Sequence, residues 1–161
     1  MATKGTYTYD WPRPMLTVDA VVYALVDGRI KLLLIQRGKK PFKGRWAFPG
    51  GYLELDEELK DAATRELQEE TGLAGVTLEQ MHAFGTLGRD PRGRTISVVY
   101  LGRVPPDRMD VRAGDDAAAA QWFDAEDLPP MAFDHDRIAA MALERIRERH
   151  DESNPSRDRA R

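Results

Sequence analysis

The run Ile30-Lys31-Leu32-Leu33-Leu34-Ile35 puts apolar side chains on both sides of any extended segment it forms. A strand with one wet face alternates apolar with polar residues, whereas a nearly unbroken apolar run belongs to a strand covered on both faces. Residues 16–26 form a second β-rich run just upstream, and Asp27-Gly28 between the two is a hairpin-turn signal. Such strands need a layer on each side. Residues 57–71 read as a helix stopped by Gly72, and a second helix over 135–149 carries Ile138, Met141, Ala142 and Ile146 on one side. Shorter strand-like runs lie at 46–48, 76–84, 94–104 and 120–123. The pattern predicts an α/β fold with helices layered on a mixed β-sheet.

With 161 residues, 42% of them hydrophobic and 32% charged, the chain has the size and balance of one folded domain. We place that domain at residues 15–150, between an N-terminal arm (1–14) and a polar tail of alternating charge (151–161) expected to be disordered. The arm has no signal-peptide character. The longest apolar run, residues 20–26, falls far short of the ~20 needed to cross a bilayer. A cytoplasmic protein without a membrane partner is expected. The net charge of −3 gives no reason to expect a nucleic-acid partner. Absence of cysteine excludes disulfides, thiolate zinc sites and a cysteine nucleophile, and His82, His135 and His150 are too scattered for a local metal motif. The tyrosines and Trp11 of the arm could pack on a second copy, so a homodimer is possible.

Chemistry concentrates in the mid-chain helix. At about 100° per residue, Glu66, Glu69 and Glu70 share roughly a 100° arc, and that arc overlaps the one carrying Leu59, Ala63 and Leu67. An isolated Glu-x-x-Glu-Glu face would read as solvated surface. Carboxylates at the edge of a core repel one another and lose hydration together, unless a cation sits among them. Oxygen ligands on so short an arc suit Mg²⁺ or Mn²⁺, which keep several waters and accept phosphate oxygens.

The full spacing is Gly51, five residues, Glu57, seven residues, then Arg65-Glu66-Leu67-x-Glu69-Glu70-x-Gly72-Leu73. At all nine of these positions it resembles the box of the Nudix family, hydrolases of nucleoside diphosphates linked to another group. The preceding Arg45-Trp46-Ala47-Phe48-Pro49-Gly50 is similar to the usual entry to that box. The resemblance implies an α/β/α sandwich with the box as loop–helix–loop. It implies Glu66 and Glu70 as principal metal ligands, Glu69 ligating directly or through water, and the Gly50 carbonyl completing a position. Glu57 would be a further metal contact or the partner of Arg65, which would orient Glu66. Gly51 would let the loop turn beside the substrate, and Gly72 would end the helix. A carboxylate would take the proton from the attacking water. No Gly-x-Ser-x-Gly or P-loop pattern competes, and Ser97 is the only serine in the expected core.

Outside the box, Arg89-Asp90-Pro91-Arg92-Gly93-Arg94 is a turn-rich loop feeding a strand. It is either a charged hairpin tip or a place where Arg89, Arg92 or Arg94 reaches phosphate or ribose. Arg37, at a strand end, is a further candidate substrate contact. With residues 113–117, Trp122-Phe123 and residues 132–135, the loop resembles the bacterial ADP-ribose pyrophosphatase branch, and it is similar also to the Nudix part of ADP-ribose-sensing regulators. That branch implies ADP-ribose and water giving AMP and ribose 5-phosphate, with Mg²⁺ or Mn²⁺ as cofactor. Asp116 sits where related enzymes place an extra acidic group, so it is a candidate metal ligand or base, or else it only caps its loop. His135 reads as packing or capping rather than as a base, and Trp46 and Phe133 as core aromatics that could stack on adenine. The enzymatic alternative is a MutT-type triphosphate hydrolase. The alternative of another class, a non-catalytic ADP-ribose sensor, would need a DNA-reading module, which is not expected in a chain ending soon after its last helix.

Overall fold

The computed structural model describes residues 5–114 and 116–152. Seven strands and two helices follow in the order β1 (Met15–Val26), β2 (Arg29–Arg37), β3 (Trp46–Ala47), β4 (Gly50–Tyr52), α1 (Leu59–Thr71), β5 (Leu78–Phe84), β6 (Thr95–Arg103), β7 (Ala117–Asp124) and α2 (His135–Glu152). Asp27 and Gly28 both take positive φ, 50° and 76°, as a tight hairpin whose turn must match strand twist requires. Gly72 caps α1 with φ 73° and donates its N–H to the Gln68 carbonyl.

The sheet is mixed: β1 runs parallel to β6 and antiparallel to β2 and β4. Alternation along β1 sends Val18, Ala20, Val22 and Ala24 to the layer that contains Ala62, Ala63 and Leu67 of α1. Val21 and Tyr23 go to the layer that contains Ile138, Ala142 and Ile146 of α2. In β2, Leu33 joins the first layer while Leu32 and Leu34 join the second, so the unbroken apolar run is covered on both faces. The α/β/α sandwich expected from the sequence is the one observed.

Three differences stand out. The glycines at 50 and 51 form a strand of their own, β4, because the backbone of β1 supplies the pairing that their composition cannot signal. β7 is longer than expected, since alanines from 117 onward pair with β2. The last helix continues through Glu152, past the expected domain end, and residues 153–161 of the expected tail lie outside the described residues. In the arm, Tyr7 and Tyr9 stack at 6.2 Å, the Arg13 guanidinium lies 3.9 Å from the Tyr9 ring centre, and Trp11 is exposed. Among the described residues no helix is long and apolar enough to cross a membrane.

Candidate active site

The strands themselves open the cleft. β1 and β2 pair only from Tyr23–Leu32 to Val26–Arg29, at the hairpin end. Beyond it they splay, with β4 pairing the start of β1 and β3 the end of β2. The gap is a cleft lined by Asp19, Phe48, Gly50 and Glu70. Arg37, Tyr52, Arg92 and Phe133 line it as well.

Arg65 organises the box. Its Nε and Nη2 donate to the two oxygens of Glu57 (3.0 and 2.7 Å), its Nη1 to Glu66 Oε1 (2.8 Å), and its Nη2 also to the Tyr52 carbonyl (3.2 Å). Of the two roles open to Glu57, partner of Arg65 is the one this geometry displays. That fork holds the Glu57 carboxyl below its ordinary pKa. Glu66 goes the other way, because burial outweighs its contact with Arg65. A Cβ on Gly51 would collide with the Glu66 carboxylate, so the box opens on glycine for close approach.

Glu70 is 9% exposed and accepts the Gly50 N–H at Oε2 (3.0 Å). Burial, with Glu66 and Asp19 nearby, pushes its carboxyl up to about 8, against the pull of the Gly50 amide and Arg37. A raised native pKa stabilises the fold fully below the unfolded value of 4.5, and that contribution is lost as pH rises towards 8. In EDTA, Tm is therefore expected to fall between about pH 5 and 8. Glu70→Gln should flatten that slope in a melting series, and an unchanged slope would remove Glu70 as its source.

Glu70 and the Gly50 backbone line the cleft, and the Glu66 carboxylate lies against the neighbouring Gly51, so the three offer an all-oxygen donor set. Among the described residues no three acidic or histidine side chains close into a cage. Mg²⁺ and Mn²⁺ do not need one, since one or two carboxylates, waters and substrate phosphates complete their shells. The residues present fit such an ion.

Guanidinium groups line the cleft too. The Arg37 Nε donates to the Pro41 carbonyl (2.8 Å), and its guanidinium lies 4.8 Å from the Phe133 ring centre. Arg92 forks onto the buried Asp90 (Nη2 to Oδ2, 2.8 Å) and lies 5.3 Å from the ring centres of both Phe133 and Tyr52. Burial and the neighbouring Arg92 lower the Arg37 pKa, the mark of two cations converging on one space. Phe133, with φ 51°, packs against the small core cluster of Ile35, Ala47 and Ala132 and also lines the cleft beside both arginines. Trp46 packs edge-on against Phe123 at 4.6 Å, as core.

Other residues singled out in the sequence fall elsewhere. Arg89 lines the cleft, but its fork is engaged by Asp134 (2.9 and 2.6 Å) and its side chain is 4% exposed. That pairing anchors the loop to the start of α2. Arg94 is not among the cleft-lining residues and donates to the Gly85 carbonyl. Asp116 is exposed, pairs with Lys39 at 2.5 Å and also stands outside the cleft. Its carbonyl accepts the N–H of Gly38, the residue after the cleft-lining Arg37. Glu69 lies at the exposed edge of the acidic arc, 3.3 Å from Arg65. His135 is buried, its Nδ1 accepting the Phe48 N–H (3.0 Å), in keeping with packing rather than proton transfer. Asp19 went unnoticed in the sequence: the one carboxylate in an apolar strand, it is buried where it lines the cleft.

The NUDIX domain model matches residues 15–142. The ADP-ribose pyrophosphatase of Methanocaldococcus jannaschii is 40% identical over 125 residues, covering 78% of this chain and 70% of that one. The ADPR responsive transcriptional repressor NtrR of Acinetobacter baylyi is 33% identical over 141 residues, covering 85% of this chain and 56% of the repressor, so the chain spans little more than half of that relative. The crystallised NUDIX domain of Shewanella oneidensis NrtR, complexed with ADP ribose, superposes with a TM-score of 0.79 at 32% identity, covering 86% of this chain and 94% of that one. The chain belongs to the Nudix family. Its α/β/α sandwich and intact box are those of a Nudix hydrolase.

Proposed function

We propose that this chain hydrolyses ADP-ribose to AMP and ribose 5-phosphate with the help of a divalent cation. The observation that carries the reading is the mixed charge of the cleft: Glu70 lines it and Glu66 lies against its Gly51, while the guanidiniums of Arg37 and Arg92 stand about Phe133. A site of that polarity suits a cation bound to a pyrophosphate. Mg²⁺ or Mn²⁺ held by Glu66, Glu70 and the Gly50 carbonyl would neutralise phosphate oxygens and acidify a bound water. Arg65 fixes the Glu66 carboxylate, and the Gly50 amide fixes that of Glu70. Arg37 and Arg92 would clamp the phosphates, with Phe133 and Tyr52 offering flat faces to the rest of the substrate. Relatives of both kinds, hydrolase and repressor, carry ADP-ribose in their names or bound in their structures, which favours it over a nucleoside triphosphate.

A product assay with ADP-ribose and a panel of nucleoside triphosphates, with Mg²⁺ and then with EDTA, tests this. AMP and ribose 5-phosphate formed preferentially from ADP-ribose, and lost in EDTA, is the expected result. Pyrophosphate released preferentially from a triphosphate would replace the substrate with that of the MutT-type alternative. ADP-ribose bound without turnover would favour the sensor.

A further inference from the structure

We propose that Asp19 is a positioning carboxylate of the hydrolytic site: held by the Ser97 hydroxyl beside His135, it braces the Gly50 backbone and adds negative charge where Glu66 and Glu70 would hold the divalent ion. The inference rests on the reading of the box as a metal site. Period-two alternation places Asp19 on the α2 side of the sheet, in line with Val21 and Tyr23. Ser97 of β6 lies on that same side, in line with Val99 and Leu101, and His135 is the first residue of α2. Three elements thus bring three polar side chains, all more than nine-tenths buried, to one point at the open end of the sandwich.

Their hydrogen bonds run towards the cleft. The Phe48 N–H occupies His135 Nδ1, so the proton of the neutral imidazole sits on Nε2, 3.7 Å from Asp19 Oδ1. The Ser97 hydroxyl donates to Asp19 Oδ2. Asp19 pairs with Gly50 across β1 and β4, and a Cβ on Gly50 would strike both the Val18 carbonyl and the Asp19 carboxylate. Asp19 and Glu70 therefore bear on the same glycine, one against its Cα and the other on its N–H.

Charge pairing in the cleft sets Asp19 apart. Arg92 is met by Asp90 and Arg89 by Asp134, which leaves Asp19 and Glu70 facing Arg37. For folding alone, an apolar residue of similar shape would serve as well, because burying a charged network adds little stability. A fixed carboxylate beside Gly50 has a clearer use: it deepens the negative potential felt by a hydrated cation and stops the Gly50 peptide from shifting.

The test is Mn²⁺ binding by the full chain without substrate, followed by the electron paramagnetic resonance of free Mn²⁺, with circular dichroism to check the fold. Asp19→Asn, nearly isosteric, should weaken Mn²⁺ binding about tenfold or more, in line with loss of an outer-shell partner of a metal site. Ser97→Ala, which keeps the carboxylate but frees it, should weaken it less and in the same direction. A folded Asp19→Asn variant with unchanged Mn²⁺ affinity and only a lowered Tm would overturn the proposal. If Asp19→Asn does not fold, an unchanged affinity in Ser97→Ala overturns it. Glu70→Gln serves as the control: if it too leaves Mn²⁺ binding untouched, it is the metal reading of the box that fails.

Discussion

Glu70→Gln should lower kcat on ADP-ribose by roughly a hundredfold or more, the scale on which enzymes lose rate when one preorganised electrostatic group is removed. The substitution keeps shape and keeps an oxygen able to accept the Gly50 N–H, so the loop–helix junction stays in place. What goes is a negative charge at a position 9% exposed, where few other groups could replace it. The same change relieves a carboxyl that burial pushes up to about 8, so the variant should melt no lower than the parent in EDTA at pH 8. Activity falling while stability holds separates a ligand from a packing residue, and steady-state kinetics with paired melting curves would read both. Near-normal turnover would take Glu70 out of the site. Glu57→Gln should cost less than Glu66→Gln, since Glu57 acts through the Arg65 fork while Glu66 meets the cleft at Gly51.

How far the chain's own letters reach is clear from where each partner lies. The two-faced burial of β2 is written in three consecutive leucines, and the box lies within one loop and one helix, so its resemblance to the Nudix family could offer Arg65 as one of two partners for Glu57 before any fold was known. Asp19, Ser97 and His135 come from β1, β6 and α2, and only the parallel pairing of β1 with β6 brings the first two together. A lone aspartate between Val18 and Ala20 was the available signal, and it is weak without its partners. The arginine-rich loop shows the same limit. Arg89, Arg92 and Arg94 are equivalent as letters, but one meets Asp134, one meets Asp90 at the cleft, and one meets a backbone carbonyl outside it. Local chemistry is readable from spacing, whereas the direction of a long side chain depends on acids supplied by other elements.

Arg89→Ala should damage folding as much as a large core truncation and should say little about substrate. Its guanidinium and the Asp134 carboxylate form two hydrogen bonds, with side-chain exposures of 4% and 13%, and tie the loop before β6 to the start of α2. Removing one partner leaves the other charge buried and unpaired, an effect of about 3–5 kcal/mol. For a chain of this size that is on the order of 10 °C in Tm. Arg89→Ala with Asp134→Ala together should lose less than the sum of the two single changes, because the second removes the stranded charge. Arg89→Lys should fall between parent and alanine, since an ammonium cannot reproduce the two-pronged fit. Thermal melts of the four variants give the coupling directly. Kinetics at a temperature where all are folded then separate anchoring from recognition: an anchor that acts by carrying Arg92 to the cleft raises KM in step with lost stability, and the double variant recovers part of both. A direct substrate contact would raise KM in Arg89→Ala without that recovery, and would return Arg89 to the binding site.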